Sequence, residues 1–303
     1  MSHPVKLSAI RAIGHVCCFG LAIFLVLALL DPPLAHAVSG LLGIPAPATA
    51  SNVLDAPVIA LRWIDVGLVL LVLAGAARLE QLRMDAYGLP WRWSAVTHLG
   101  AGTTIGVITV TLVCGALALA CVMSLGAALL PAYGLMASGL RWGLAFLAVA
   151  VLEELLFRGY PLTTLARGIG FWPAALALSL LFTAAHVRNA GESAPGLLAV
   201  FLFGMLFCAI RQRTGALWLS IGVHAGWDWA QSFLFGVPDS GTIARGRAFA
   251  PVFRGASWLT GGSAGPEGSV LTLAALAGAL LVLAWVSLRD HGARTGRRLL
   301  VRN

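Results

Sequence analysis

The chain has 303 residues, of which 59% are hydrophobic and only 11% are charged. A soluble globular domain carries about 25% charged residues, so this composition excludes a soluble protein and indicates a membrane protein with several spans. The formal charge of +8 comes from 19 arginines and one lysine against 12 acidic residues. In a membrane chain such an excess indicates the orientation of the spans and contact with membrane lipid, and we expect no nucleic-acid partner.

Apolar runs long enough to cross a bilayer recur along the whole chain. A transmembrane helix needs about 20 mostly apolar residues. The sequence therefore predicts an all-α integral membrane protein, with about eight transmembrane helices in a single bundle that forms one domain over residues 1–303. The spans are predicted near residues 14–30, 57–77, 98–123, 140–166, 171–189, 195–210, 214–235 and 269–288.

Three connections are longer than tight turns. The segment 31–56 contains Asp31-Pro32-Pro33 and the proline-rich run 44–49, and it is predicted to be a loop. The segment 78–97 mixes charged and aromatic residues and is typical of an interfacial connector. The segment 236–268 contains prolines and several glycines and is predicted to be a flap or partly disordered.

Basic residues are concentrated on one predicted face of the membrane. That face carries the N-terminus, the 78–97 connector, the 4–5 and 6–7 turns and the arginine-rich C-terminal tail. The positive-inside rule makes this face cytoplasmic, so both termini are expected in the cytoplasm. Residues 1–37 have an alternative interpretation as a cleaved signal peptide, because Ala35-His36-Ala37 resembles a cleavage site. The apolar run before it is longer than a signal core, which favours a retained helix.

Ionisable residues occur inside three of the predicted spans. A charged group at that depth costs several kcal/mol unless it is paired or hydrated, so each is a candidate functional residue. The 4–5 turn is expected near Arg167-Gly168-Ile169-Gly170, which places Glu153 and His186 about 16.5 residues away on either side and hence at equal depth. The sequence thus predicts one site, formed by Glu153, Glu154, Arg158, His186, His224 and Asp228.

Helical spacing suggests how these groups are arranged. Glu154 and Arg158 are four residues apart in the favourable order for an ion pair, which leaves Glu153, about 100° around the helix, to face the interior. His224 and Asp228 are also four apart and share a helix face. Pro161 is expected to kink the fourth helix about two turns after the acidic pair.

The chemistry that suits these residue types is activation of water. A carboxylate in a low-dielectric cavity can accept a proton from water, and imidazoles can orient that water, bind a divalent metal or stabilise an oxyanion. The alternative is that the same groups only hydrogen-bond between helices and hold the bundle together.

The residues also resemble the motifs of a known family. Glu153-Glu154-Leu155-Leu156-Phe157-Arg158 is similar to the EExxxR motif of the CPBP family, which comprises CAAX proteases and bacteriocin-processing enzymes and includes the Ras-converting endopeptidases. Residues 182–186, from Phe182 to His186, resemble its FxxxH motif, and residues 224–228 resemble its HxxxN or HxxxD motif. The resemblance covers about residues 140–235, which we take as the catalytic core.

The resemblance implies an eight-helix intramembrane endopeptidase with its active site inside the membrane, for which we expect the bacterial cell membrane as the location. Glu153 and His186 would activate water, His224 and Asp228 would complete the site, and Glu154, Arg158 and Phe182 would support it. Two mechanisms stay open: a glutamic one without a metal, or a metalloprotease with a divalent ion such as zinc on His186, His224 and Asp228. An ionised Asp228 cannot donate a hydrogen bond to an oxyanion, as an asparagine there could.

The sequence leaves the substrate undetermined. The resemblance allows a peptide or protein whose C-terminal tail or leader peptide is removed. A different class of function is a non-catalytic membrane protein, either a bacteriocin immunity factor or a proton-coupled transporter that uses the same buried polar residues. Inverted repeats would favour a transporter, and none is evident in the sequence.

Overall fold

The structure is a computed structural model, and it describes residues 6–42, 56–189, 191–241, 243 and 245–300. It is built mainly from helices. In chain order these are α1 (Ala9–Leu42), α2 (Ala56–Leu79), α3 (Trp93–Leu119), α4 (Ala132–Glu154), α5 (Tyr160–Ile169), α6 (Phe171–His186), α7 (Ala194–Thr214), α8 (Trp218–Asp228), α9 (Ser257–Thr260) and α10 (Val270–Leu300). Short 3₁₀ turns cover Met84–Tyr87, Gly262–Ala264 and Pro266–Gly268.

The described helices confirm an all-α integral membrane fold. Six helical segments are long and apolar enough to cross a membrane: Ala9–Leu41, Val58–Leu79, Trp93–Leu119, Ala132–Ile169, Ala194–Thr214 and Val270–Arg289. Phe171–His186 is apolar but shorter, and the predicted span 214–235 contains the short helix α8. The predicted number of eight spans is therefore approximate.

The prediction of a loop at 31–56 is wrong over its first part. Helix α1 continues through Pro32 and Pro33 and ends at Leu42. Two adjacent prolines remove two backbone N–H donors, yet membrane helices accept such breaks because neighbouring groups satisfy the freed carbonyls. The proline-rich run 44–49 lies outside the described residues. Most of the arginine-rich C-terminal tail belongs to helix α10, which continues as far as Leu300.

Two strands form a small antiparallel sheet that the sequence did not predict. Strand β1 (Met123–Ala128) follows α3 directly, and β2 (Phe249–Phe253) belongs to the 236–268 connection. The pairing joins Met123 to Phe253 and Ala128 to Phe249, with an irregularity between. This connection is therefore largely ordered and is tied to the end of α3.

Two helices that carry motif residues change to π-helical geometry. A π segment at Leu155–Gly159 joins α4 to α5, and another at Trp229–Leu234 follows α8. Pro161 lacks an N–H group, which removes the α-helical bond to the carbonyl of Phe157. The predicted distortion of the fourth span therefore occurs as a π segment, immediately after Glu153 and Glu154. The predicted 4–5 turn is present, with Gly170 at φ +89° between α5 and α6.

The most extensive helix contact joins α3 to α8. Both helices present glycines at a spacing of four, Gly102 and Gly106 on α3 and Gly222 and Gly226 on α8. A Cβ atom on any of them would overlap the opposite backbone; on Gly106, for example, it would meet the carbonyl oxygen of Val223. Small residues at this spacing let membrane helices approach closely, and here they fix the helix that carries His224 and Asp228.

We expect Gly106→Ala and Gly226→Ala to destabilise the protein by at least about 1–3 kcal/mol, since the added methyl group must push the two backbones apart. Gly115→Ala is a matched control on α3, because no atom lies within 4 Å of a Cβ built there. Thermal unfolding in detergent measures the difference. Equal unfolding temperatures for Gly106→Ala and Gly115→Ala would contradict the close contact.

Candidate active site

Five of the predicted site residues line one cavity of about 260 Å³, whereas Glu154 and Arg158 do not. Glu153 reaches it from α4, Phe182 and His186 from α6, and His224 and Asp228 from α8. The remaining lining residues are Trp142, Phe146, Val149, Asn189, Val200, Phe203, Phe207, Trp227, Ser232, Asp239, Ser240 and Glu267.

The two adjacent glutamates occupy different environments. Nη1 of Arg158 lies 3.1 Å from Oε1 of Glu154, and both side chains are completely buried. Glu153 keeps 27% of its side chain exposed and lines the cavity. The predicted division is present in the structure: Glu154 is neutralised within its own helix, and Glu153 is the carboxylate that faces the open space.

The buried arginine is packed among aromatic rings. Its guanidinium carbon lies 4.2 Å from the ring centre of Phe182 and 5.6 Å from that of Phe207. Such cation–π contacts stabilise a desolvated guanidinium. Arg158 therefore links the helix of the first motif to α6 and α7, and Phe182 has a packing role as well as a place in the cavity wall.

The imidazole of His224 lies among three carboxylates. Its Nε2 is 3.6 Å from Oε2 of Glu153 and 3.5 Å from Oδ2 of Asp228, and its Nδ1 is 3.5 Å from Oε1 of Glu154. These distances are longer than normal N–H···O hydrogen bonds. The ring also stacks on Phe207, with ring centres 5.4 Å apart. The three carboxylates thus create a negative potential around the ring. Because they make no short hydrogen bonds to it, their oxygens can still accept hydrogen bonds from water or a ligand.

The second histidine has a defined tautomer. Nδ1 of His186 lies 2.8 Å from the carbonyl oxygen of Phe182, and since a carbonyl only accepts, Nδ1 must donate. In the neutral ring, Nε2 is then an acceptor. Its ring centre is 4.5 Å from that of Phe182, so the motif residue four positions earlier fixes the imidazole through both its backbone and its ring.

Two further acids of the cavity wall were missed by sequence reasoning. Asp239 and Glu267 belong to the 236–268 connection, where carboxylates are ordinarily solvated and give no signal in a sequence. Oγ of Ser232 donates to Oδ2 of Asp239 at 2.8 Å, and the backbone N–H of Ser240 donates to Oε1 of Glu267. The connection is therefore part of the cavity wall, as a flap over the site would be.

Both additional acids lie outside the membrane spans, and burial changes their acidity. Burial raises the pKa of Asp239 to about 6, despite the opposing hydrogen bond from Ser232. Burial, followed by repulsion from Asp239 and Glu192, raises the pKa of Glu267 well above its usual range. Both shifts mean that burial disfavours the ionised form of these two carboxyl groups.

The possible metal ligands do not converge in this arrangement. Among the described residues, no group of three His, Cys, Asp or Glu side chains has the geometry to hold a metal ion. His224 and Asp228 contact each other, but the ring of His186 is fixed on the other wall through Phe182. As the side chains are placed, the set His186, His224 and Asp228 does not fit an ion, and the ligand set stays a prediction.

Glu154→Gln should destabilise the protein by about 3–5 kcal/mol, because it leaves the buried charge of Arg158 uncompensated. Thermal unfolding and folded yield in detergent measure this loss. Glu153→Gln is the matched control at the neighbouring, partly exposed position and should unfold near the wild-type temperature. The double variant Glu154→Gln with Arg158→Met removes both charges and should recover much of the loss. Absence of recovery would argue against an unpaired arginine as the cause.

The comparisons with known proteins agree with the motifs. The family model described as type II CAAX prenyl endopeptidase Rce1-like matches residues 135–230, which contain all three motifs and every predicted catalytic residue. The searches of curated proteins and of solved structures found no match to the chain. The match over residues 135–230 confirms the resemblance to this family that the motifs predicted.

Proposed function

We propose that the protein is an intramembrane endopeptidase in which Glu153 and His186 activate a water molecule. The observation that carries the proposal is the cavity itself. Three motifs that are up to 75 residues apart in the chain, from Glu153 to Asp228, all contribute polar side chains to it. The family match supports a membrane protease, and the roles of individual residues are our inference.

The first step follows from the free acceptor groups. Arg158 pairs with Glu154, so the oxygens of Glu153 can accept a proton from water. Nε2 of neutral His186 can accept the second hydrogen of the same water and orient it. The resulting hydroxide adds to the carbonyl carbon of the scissile peptide bond.

The remaining steps need a hydrogen-bond donor and a proton. His224, when protonated, has carboxylates close to both ring nitrogens and can stabilise the oxyanion of the tetrahedral intermediate. Asp228 stabilises the positive charge on His224. An ionised aspartate can do this, whereas the asparagine of the HxxxN form of the motif is neutral. When the C–N bond breaks, the proton held by Glu153 passes to the leaving nitrogen, giving a carboxyl product and an amine product.

Glu153→Gln and His186→Ala should each lower the cleavage rate by at least about 100-fold, which is the usual contribution of a positioned acid or base. The assay uses purified protein in lipid nanodiscs and a peptide library from a bacterial proteome digest, with products identified by mass spectrometry. Thermal unfolding must remain near wild type for both variants. Glu153→Gln with more than a tenth of the wild-type rate would exclude Glu153 as the general base.

The same assay separates the enzyme from the non-catalytic alternative. An immunity factor or transporter would give no cleavage that depends on Glu153, although its cavity would have the same lining. If the wild-type protein and Glu153→Gln give the same products, the proposed endopeptidase is contradicted.

A metal-dependent mechanism is the second candidate, because His224 and Asp228 are in contact and two imidazoles with a carboxylate can form a three-ligand zinc site. Under this alternative we expect about one equivalent of zinc in active protein and loss of zinc in His224→Ala. Elemental analysis makes this test. Less than about a tenth of an equivalent in fully active protein, together with activity insensitive to strong chelators, would contradict it.

A further inference from the structure

The cavity has a strongly acidic lining. Its wall includes the carboxylates of Glu153, Asp228, Asp239 and Glu267, and no arginine or lysine is among the residues that line it. Glu153 and Asp228 belong to the proposed catalytic machinery. Asp239 and Glu267 lie outside the three motifs and outside the part of the chain that the family model matches.

Few donors reach these carboxylates among the described residues. Asp228 is 8% exposed, and its only ionic partner among the described residues is His224, at 3.5 Å. Glu267 is 5% exposed, and the one hydrogen bond found for it comes from the Ser240 backbone to Oε1. A buried carboxylate with unfilled acceptor positions is costly, and a ligand that brings a positive charge or N–H donors would remove that cost.

The added acids are held in position before any ligand binds. Ser232, in the π segment after α8, donates to Asp239, and its neighbour Gln231 donates to the carbonyl of Pro238 at 2.7 Å. The Ser240 backbone orients Glu267. These contacts tie the acids to the same helix that carries His224 and Asp228, so their distance from the reacting groups is fixed by the fold.

We propose that this acidic wall selects a peptide substrate that carries a lysine or arginine side chain beside the scissile bond. An ammonium or guanidinium group would make charge-assisted hydrogen bonds to Asp239 and Glu267 while the peptide bond lies near Glu153 and His186. The assignment of this peptide as a substrate rests on the proposed endopeptidase function, whereas the binding of a cationic peptide does not.

The acidic wall is placed to bind a charged substrate residue that lies at the edge of a membrane-inserted segment. Asp239 follows the π segment by five residues, and Glu267 precedes α10 by three. Both acids therefore lie near the ends of spans, where a long basic side chain can keep its charge close to water while its apolar stem is buried. A neutral residue at the same position would leave the carboxylates uncompensated.

Two measurements test the proposal. The first is binding of two synthetic decapeptides, identical except for lysine or norleucine at one central position, to Glu153→Gln protein in nanodiscs. The lysine peptide should bind about tenfold more tightly, and adding Asp239→Asn and Glu267→Gln should abolish the difference. These substitutions keep the acceptor oxygens for Ser232 and Ser240, so the wall should stay folded. Equal affinities in the parent Glu153→Gln protein would overturn the proposal.

The second measurement is cleavage of the peptide library by otherwise wild-type protein. Lysine and arginine should be enriched within two residues of the cleaved bonds, and the enrichment should disappear in the Asp239→Asn, Glu267→Gln variant. Glu192→Gln is the matched control, because Glu192 is a nearby acid that does not line the cavity, and it should keep the enrichment.

The results separate the two proposals. Glu153-dependent cleavage without enrichment would overturn the acidic-wall proposal and leave the endopeptidase intact. Charge-dependent binding without cleavage would overturn the endopeptidase and keep the cavity as a site for cationic peptides. If the double variant still cleaves preferentially beside lysine and arginine, Asp239 and Glu267 are not the residues that recognise the charge.

Discussion

The close contact between α3 and α8 determines where the motif residues can lie. Glycines on both helices bring the backbones together, and the helix that carries His224 and Asp228 is held against α3 along its length. In a bilayer the hydrophobic effect does not drive helices together, so such dispersion contacts must supply much of the association energy. The geometry of the candidate site therefore depends on a contact made largely by residues that have no side chain.

The buried pair of Glu154 and Arg158 complements this contact on the opposite wall. Neither side chain reaches water, and the guanidinium is held between aromatic rings of α6 and α7. A buried ion pair contributes little net stability compared with apolar residues of the same size, although removing one partner is costly. The first motif thus combines two features: Glu154 and Arg158 join three helices, and the neighbouring Glu153 faces the cavity, where we propose that it activates water.

Features whose physical cause lies within one segment of the chain could be predicted from the sequence. Long apolar runs identified the membrane segments, and charge inside them identified Glu153, His186, His224 and Asp228 as one site. The glycine pairs of α3 and α8 each form a G-x-x-x-G pattern, a local signal of close helix contact in membranes. In contrast, nothing local indicates that α1 continues beyond Pro33, or that β1 pairs with β2, because both depend on contacts distant in the chain. Asp239 and Glu267 were missed for the same reason.

The π segments after Glu154 and after Asp228 have a consequence for how such sequences are compared. A π turn accommodates one more residue than an α turn over nearly the same rise, so it acts as an insertion that the helix absorbs without a loop. Residues beyond it are rotated by roughly 100° from the face that a regular helix would give them. Relatives that lack either π turn would need a one-residue gap inside an otherwise continuous helix. Alignments that forbid gaps there would pair lipid-facing positions with cavity-facing ones.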